Sequence, residues 1–80
     1  MRNHARIGDN AFVSSHVVVS GFARIGNSCF MGVNSTVADR VAIGDNCIVG
    51  AGSLILGDVP DNKTVIGRWQ KRMARQVLES

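Results

Sequence analysis

Ile25-Gly26-Asn27-Ser28-Cys29-Phe30-Met31-Gly32-Val33-Asn34-Ser35-Thr36-Val37-Ala38-Asp39-Arg40-Val41-Ala42, followed by Ile43-Gly44-Asp45-Asn46, decides the fold of this chain. An aliphatic residue stands at every sixth position, and counting outward adds Ile7, Val13 and Val19 before the stretch and Val49 and Ile55 after it. The next residue is usually small, from Gly8 to Gly50, and the fourth after it is small or β-branched, from Ala11 to Val59. Helical apolar positions would recur at about 3.6 residues. Six is instead a multiple of the strand period, so both positions of a hexad face inward from one short extended segment. Ile7-Gly8-Asp9-Asn10, Ile25-Gly26-Asn27-Ser28 and Ile43-Gly44-Asp45-Asn46 recur at eighteen residues, so three hexads make one turn.

A chain that makes three equal sides and returns above itself is a triangular prism of parallel strands. The pattern predicts three vertical ladders: Ile7, Ile25 and Ile43; Val13, Met31 and Val49; Val19, Val37 and Ile55. Such ladders fill a core with modest side chains, which suits a chain that is 45% hydrophobic and only 5% aromatic. Eighty residues leave room for one domain. Apolar runs such as Val17-Val18-Val19 are far too short to cross a bilayer, and polar residues follow Arg2 and Arg6 where a secretory signal would be apolar.

Val59-Pro60-Asp61-Asn62 reads as a turn away from the stack. The expected organisation is a β-helix over 1–60, a closing loop or strand over 61–67 and a short C-terminal α-helix over 68–80. Trp69, Met73 and Val77 form the apolar stripe of that helix. Five of the nine basic residues, Lys63, Arg68, Lys71, Arg72 and Arg75, lie in this tail and account for the net charge of +3. Without interleaved aromatics the cluster does not single out nucleic acid or a membrane as partner. Two cysteines without an export signal suit a reducing, cytoplasmic setting.

The hexads resemble those of the hexapeptide-repeat acyltransferases, over residues 1–60 and again in the tail. That resemblance implies a left-handed parallel β-helix, a hand that periodicity does not supply. The expected likeness is to the sugar O- and N-acetyltransferases of the sialic acid O-acetyltransferase type. It implies transfer of an acetyl group from acetyl-CoA to a hydroxyl or amine of a sugar or nucleotide-sugar, without a metal, in clefts between the subunits of a homotrimer. His16 matches the family's histidine, which would act as general base; imidazole titrates near neutrality and is suited to that task. The plainer reading is a solvated corner histidine. These relatives often place an acid just before the histidine, whereas this chain has Ser14-Ser15-His16. Asp39 from another subunit is the candidate orienting acid.

Asn34 and Gly52 follow His16 at intervals of eighteen, so the three share a row. Asn34, Gly50, Ala51 and Gly52 resemble the surface that carries the pantetheine arm, where small residues allow close approach and unpaired N–H groups would polarise the thioester. Val65-Ile66-Gly67-Arg68-Trp69-Gln70-Lys71 resembles the family's closing motif, with Trp69 in place of its proline. Ile66 and Gly67 would contact the coenzyme, and Arg68 and Lys71 would pair with its phosphates; a solvated basic face is the alternative. His4 shares the hexad phase of His16 and reads as structural or merely exposed. Cys29 and Cys47 read as small buried hydrophobes, and two histidines fall short of a three-histidine zinc site. The competing functional reading is a non-catalytic trimeric β-helix module, a remnant that keeps oligomerisation and coenzyme binding.

Overall fold

The computed structural model describes residues 4–70, and among them lie eleven strands of two residues each. In chain order these are β1 (Arg6–Ile7), β2 (Phe12–Val13), β3 (Val18–Val19), β4 (Arg24–Ile25), β5 (Phe30–Met31), β6 (Thr36–Val37), β7 (Ala42–Ile43), β8 (Ile48–Val49), β9 (Leu54–Ile55), β10 (Thr64–Val65) and β11 (Arg68–Trp69). All pairings are parallel, giving three sheets: β1-β4-β7, β2-β5-β8-β10 and β3-β6-β9-β11. The registers Ile7↔Ile25↔Ile43, Val13↔Met31↔Val49 and Val19↔Val37↔Ile55 are the three ladders expected from the hexads. The architecture is therefore an all-β parallel β-helix, consistent with the left-handed coil.

The second residue of each strand points inward, and Met31, Val37, Val49 and Ile55 are fully buried. Ala23, Cys29, Val41 and Cys47 fill the space beside the corners. Burial pushes the Cys29 thiol up from its ordinary pKa, because the core disfavours the thiolate. Ser35 and Ser53 are also buried, and each hydroxyl donates to a carbonyl at 2.7 Å, on Gly32 and Gly50 respectively. That satisfies a polar group that would otherwise be costly in an apolar core.

Each full corner turns on a residue with φ near +60°, including Asn10, His16, Phe22, Ser28, Asn34 and Arg40. This region disfavours L side chains by roughly 1–2 kcal/mol, and asparagine tolerates it best. At the corner after β1, β4 and β7, side chains bind one coil to the next. Asn27 Oδ1 accepts from Asp9 N at 2.8 Å, Asp45 Oδ1 from Asn27 N at 2.7 Å, and Asp61 Oδ1 from Asp45 N at 2.7 Å.

The end of the coil departs from the expected boundaries. Val59 does not leave the stack; it is buried and bridges Ile43, sixteen residues earlier in place of eighteen. Strand β10 then pairs with β8, and β11 pairs with β9 at a spacing of fourteen, so two corners have each lost two residues. Arg68 and Trp69 are consequently strand, not the start of a helix. Trp69 occupies the inward ladder above Ile55 and caps the core, with its indole N–H donating to Asp58 O at 2.9 Å and Lys63 Nζ lying 5.3 Å from the ring centre. The helix expected over 68–80 otherwise falls, with Met73 and Val77, outside the described residues.

Candidate functional site

The corner that follows β2, β5 and β8 gathers most of the residues singled out in the sequence. His16, Asn34 and Gly52 occupy the same turn position in successive coils, with φ of 59°, 62° and 70°. The coils are tied there by Asn34 N donating to Ser15 O at 3.1 Å and Gly52 N donating to Val33 O at 2.8 Å. All three residues are exposed. His16 thus projects from a convex edge, as alternation along the hexad predicts. A Cβ at Gly52 would meet nothing within 4 Å, so glycine there only relieves the positive φ that His16 and Asn34 adopt at a cost.

Gly50 and Ala51 enter the same corner, and Ile66 and Gly67 close it in the top coil, where Gly50 N donates to Val65 O at 2.8 Å and Leu54 N to Gly67 O at 2.9 Å. The edge from His16 to Gly67 therefore climbs three coils, roughly 14 Å at about 4.8 Å per coil. Arg68 is exposed on the adjoining face, in register with Leu54, and its guanidinium donates to Gln70 Oε1 at 3.3 Å. Lys71 lies outside the described residues.

The expectation of unpaired amides along this row needs correction. The N–H groups of Asn34, Gly50 and Gly52 all donate to carbonyls of neighbouring coils, and Gly67 N donates to Ser53 Oγ at 3.1 Å. A β-helix uses most of its corner amides to join the coils. The amides of Ser15, Val33, Ala51 and Ile66 donate to no acceptor among the described residues. They are the donors left for a carbonyl oxygen.

His4 is not beside His16. It lies on the corner after β3 and β6, stacked on Phe22 with ring centres 4.9 Å apart, and Arg40 covers the same ring at 5.3 Å. Asp39 belongs to that corner too.

A feature that the inward periodicity concealed is the apolar surface beside His16. The outward residues of β2, β5 and β8 are Phe12, Phe30 and Ile48, exposed by 60%, 41% and 49%. Phe12 and Phe30 stack at 5.3 Å. Val33 on the corner and Val18 and Leu54 beyond it extend the patch. The signal was the residue just before each inward aliphatic, where Phe12, Phe30 and Ile48 recur at eighteen.

Residues 22–57 match the family model described as bacterial transferase hexapeptide (six repeats). The coil is built of hexapeptide repeats. Among solved structures, this hexapeptide-repeat chain is similar to the serine acetyltransferase (CysE) of Neisseria gonorrhoeae, crystallised in complex with serine, with a TM-score of 0.58 and 24% identity. The match covers 80% of this chain and 37% of that one, so the chain spans well under half the length of its structural neighbour. No curated protein sequence matches it. The family match supports the resemblance to the hexapeptide-repeat transferases, and the structural likeness supports the fold alone. No group of three or more potential metal ligands occurs among the described residues. No described helix is long and apolar enough to cross a membrane.

Proposed function

We propose that this chain is the β-helix of an acyltransferase that moves an acetyl group from acetyl-CoA to a hydroxyl or amine of a sugar or nucleotide-sugar, with His16 as general base. The observation that carries the reading is the exposed row His16, Asn34 and Gly52 on a hexapeptide-repeat edge, next to an exposed apolar face. The family match to bacterial transferases supports the reaction class, although its residues 22–57 do not include His16.

Coenzyme A supplies an acyl group already activated as a thioester, so no acyl-enzyme nucleophile is required. The imidazole of His16 takes the proton from the acceptor's hydroxyl or amine as that atom forms its bond to the acyl carbon. The same proton can then pass to the sulfur that leaves. Ala51 and Ile66 offer the amides for the carbonyl oxygen, and Arg68 and Lys71 the cations for the coenzyme's phosphates. A convex edge cannot exclude water by itself, so the second wall belongs to another copy of the chain. Packing Phe12, Phe30 and Ile48 against that copy in a homotrimer would bring its surface up to His16. Cys29 and Cys47 are free thiols, which suits a cytoplasmic protein.

The test is release of free thiol from acetyl-CoA with a panel of sugars, nucleotide-sugars, amino sugars and serine. His16→Ala should lower turnover by about 10²–10⁴-fold, the usual share of a general base. Undiminished turnover in that variant removes His16 from the mechanism. The second reading, a non-catalytic trimeric module that still binds coenzyme A, draws support from the corner amides of Asn34, Gly50 and Gly52, which are already paired within the coil. Coenzyme binding with no turnover on any acceptor would favour it.

A further inference from the structure

The face formed by β1, β4 and β7 differs from the other two. Its outward residues are Arg6, Arg24 and Ala42, and Arg6 and Arg24 are direct register partners on adjacent parallel strands. Like charges placed opposite each other in a sheet repel, and neither guanidinium donates a side-chain hydrogen bond among the described residues. Neither arginine forms an ion pair among the described residues, and the nearby carboxylates each give one oxygen to the backbone: Asp45 Oδ1 accepts from Asn27 N at 2.7 Å and Asp58 Oδ1 from Ala42 N at 2.9 Å. A third cation, Arg40, stands in the neighbouring row, held over the Phe22 ring.

The two arginines border a shallow groove of about 590 Å³ that also takes in Gly8, Gly26 and Asn27. Asn27 Oδ1 is committed to Asp9 N, so its amide NH₂ remains as a donor beside them. Asp45 lines the upper end and confines an anion to the two lower coils.

We propose that this groove binds a small phosphate-bearing anion between Arg6 and Arg24, with Asn27 as a neutral donor. Parallel strands sit about 4.8 Å apart, so guanidinium forks from successive coils converge on one anion, and two forks match a pyrophosphoryl group in charge. The site lies on a different face from the His16 edge and does not depend on the reaction proposed there.

Inorganic pyrophosphate and inorganic phosphate are the probes, titrated calorimetrically into the full chain at physiological salt. Saturable binding of pyrophosphate is expected, weakened at least tenfold in Arg24→Gln and in Arg6→Gln and unchanged in Lys63→Gln. Both altered side chains are exposed, so circular dichroism should report an intact fold. Pyrophosphate should also raise the melting temperature of the wild type and leave that of Arg24→Gln unmoved. Absence of saturable binding, indifference to Arg24→Gln, or displacement of pyrophosphate by coenzyme A would each overturn the proposal; the last would assign the anion to the coenzyme site.

Discussion

Glycine has two distinct jobs in this coil, and they respond differently to a methyl group. At Gly32 a Cβ would sit 2.6 Å from Ala51 N and 2.7 Å from Gly50 C, both backbone atoms of the coil above. Neither can move without spreading the stack, so Gly32→Ala should cost about 1–3 kcal/mol, as overpacking does. At Gly50 the nearest atom is the flexible Ile66 Cγ1, 3.3 Å away. Gly50→Ala should be close to neutral, since the lost chain entropy of glycine, about 0.4–1 kcal/mol, works in its favour. Urea unfolding of both variants checks the contrast, and equal costs would refute the close approach at Gly32. Both glycines follow an inward aliphatic in the same ladder, and the spacing rule treats them alike. The difference comes from the shortened coil above Gly50, which no local pattern reveals.

At the scale of the element, β11 shows how an inward ladder is covered. Strand β9 would expose Ile55 if the coil stopped there. Trp69 covers it by occupying the next inward position, and its indole N–H secures the Asp58 carbonyl. Trp69→Ala should destabilise the fold by about 1.5–3 kcal/mol, less than a wholly buried tryptophan because the ring is half-exposed. Trp69→Phe keeps the ring and loses one hydrogen bond, for about 1 kcal/mol. A neutral Trp69→Ala in thermal or urea unfolding would exclude the capping role. The spacing of Trp69, Met73 and Val77 suggests a helix because four-residue intervals suit one. Cross-strand pairing with Leu54 and Ile55 overrides that local suggestion at Arg68 and Trp69.

At the scale of the molecule, one face is apolar, one carries the two arginines, and His16 stands on an edge of the apolar one. The proposed homotrimer would bury Phe12, Phe30 and Ile48 beside that edge. Light scattering should then give an oligomer, and Phe30→Glu should shift it towards monomer while lowering any His16-dependent turnover. A wild-type monomer at tens of micromolar would remove the shared cleft. The candidate site was legible in part: a row at intervals of eighteen must be adjacent in a three-sided coil, so His16, Asn34 and Gly52 could be placed together from their numbers. The state of their amides could not, because hydrogen bonds between coils depend on what lies above and below.

By itself the chain's order of residues determined the cross-section: three sides, the inward ladders and the composition of every edge. Those follow from a short-range rule, that each hexad must bury its own aliphatic side chain, and the rule repeats without reference to distant residues. Tertiary structure alone decided where the coil contracts from eighteen residues to sixteen and fourteen, which amides remain available, and that Trp69 closes the core. Those outcomes depend on contacts between coils, where the chain satisfies strand edges and apolar surface by whatever register fits.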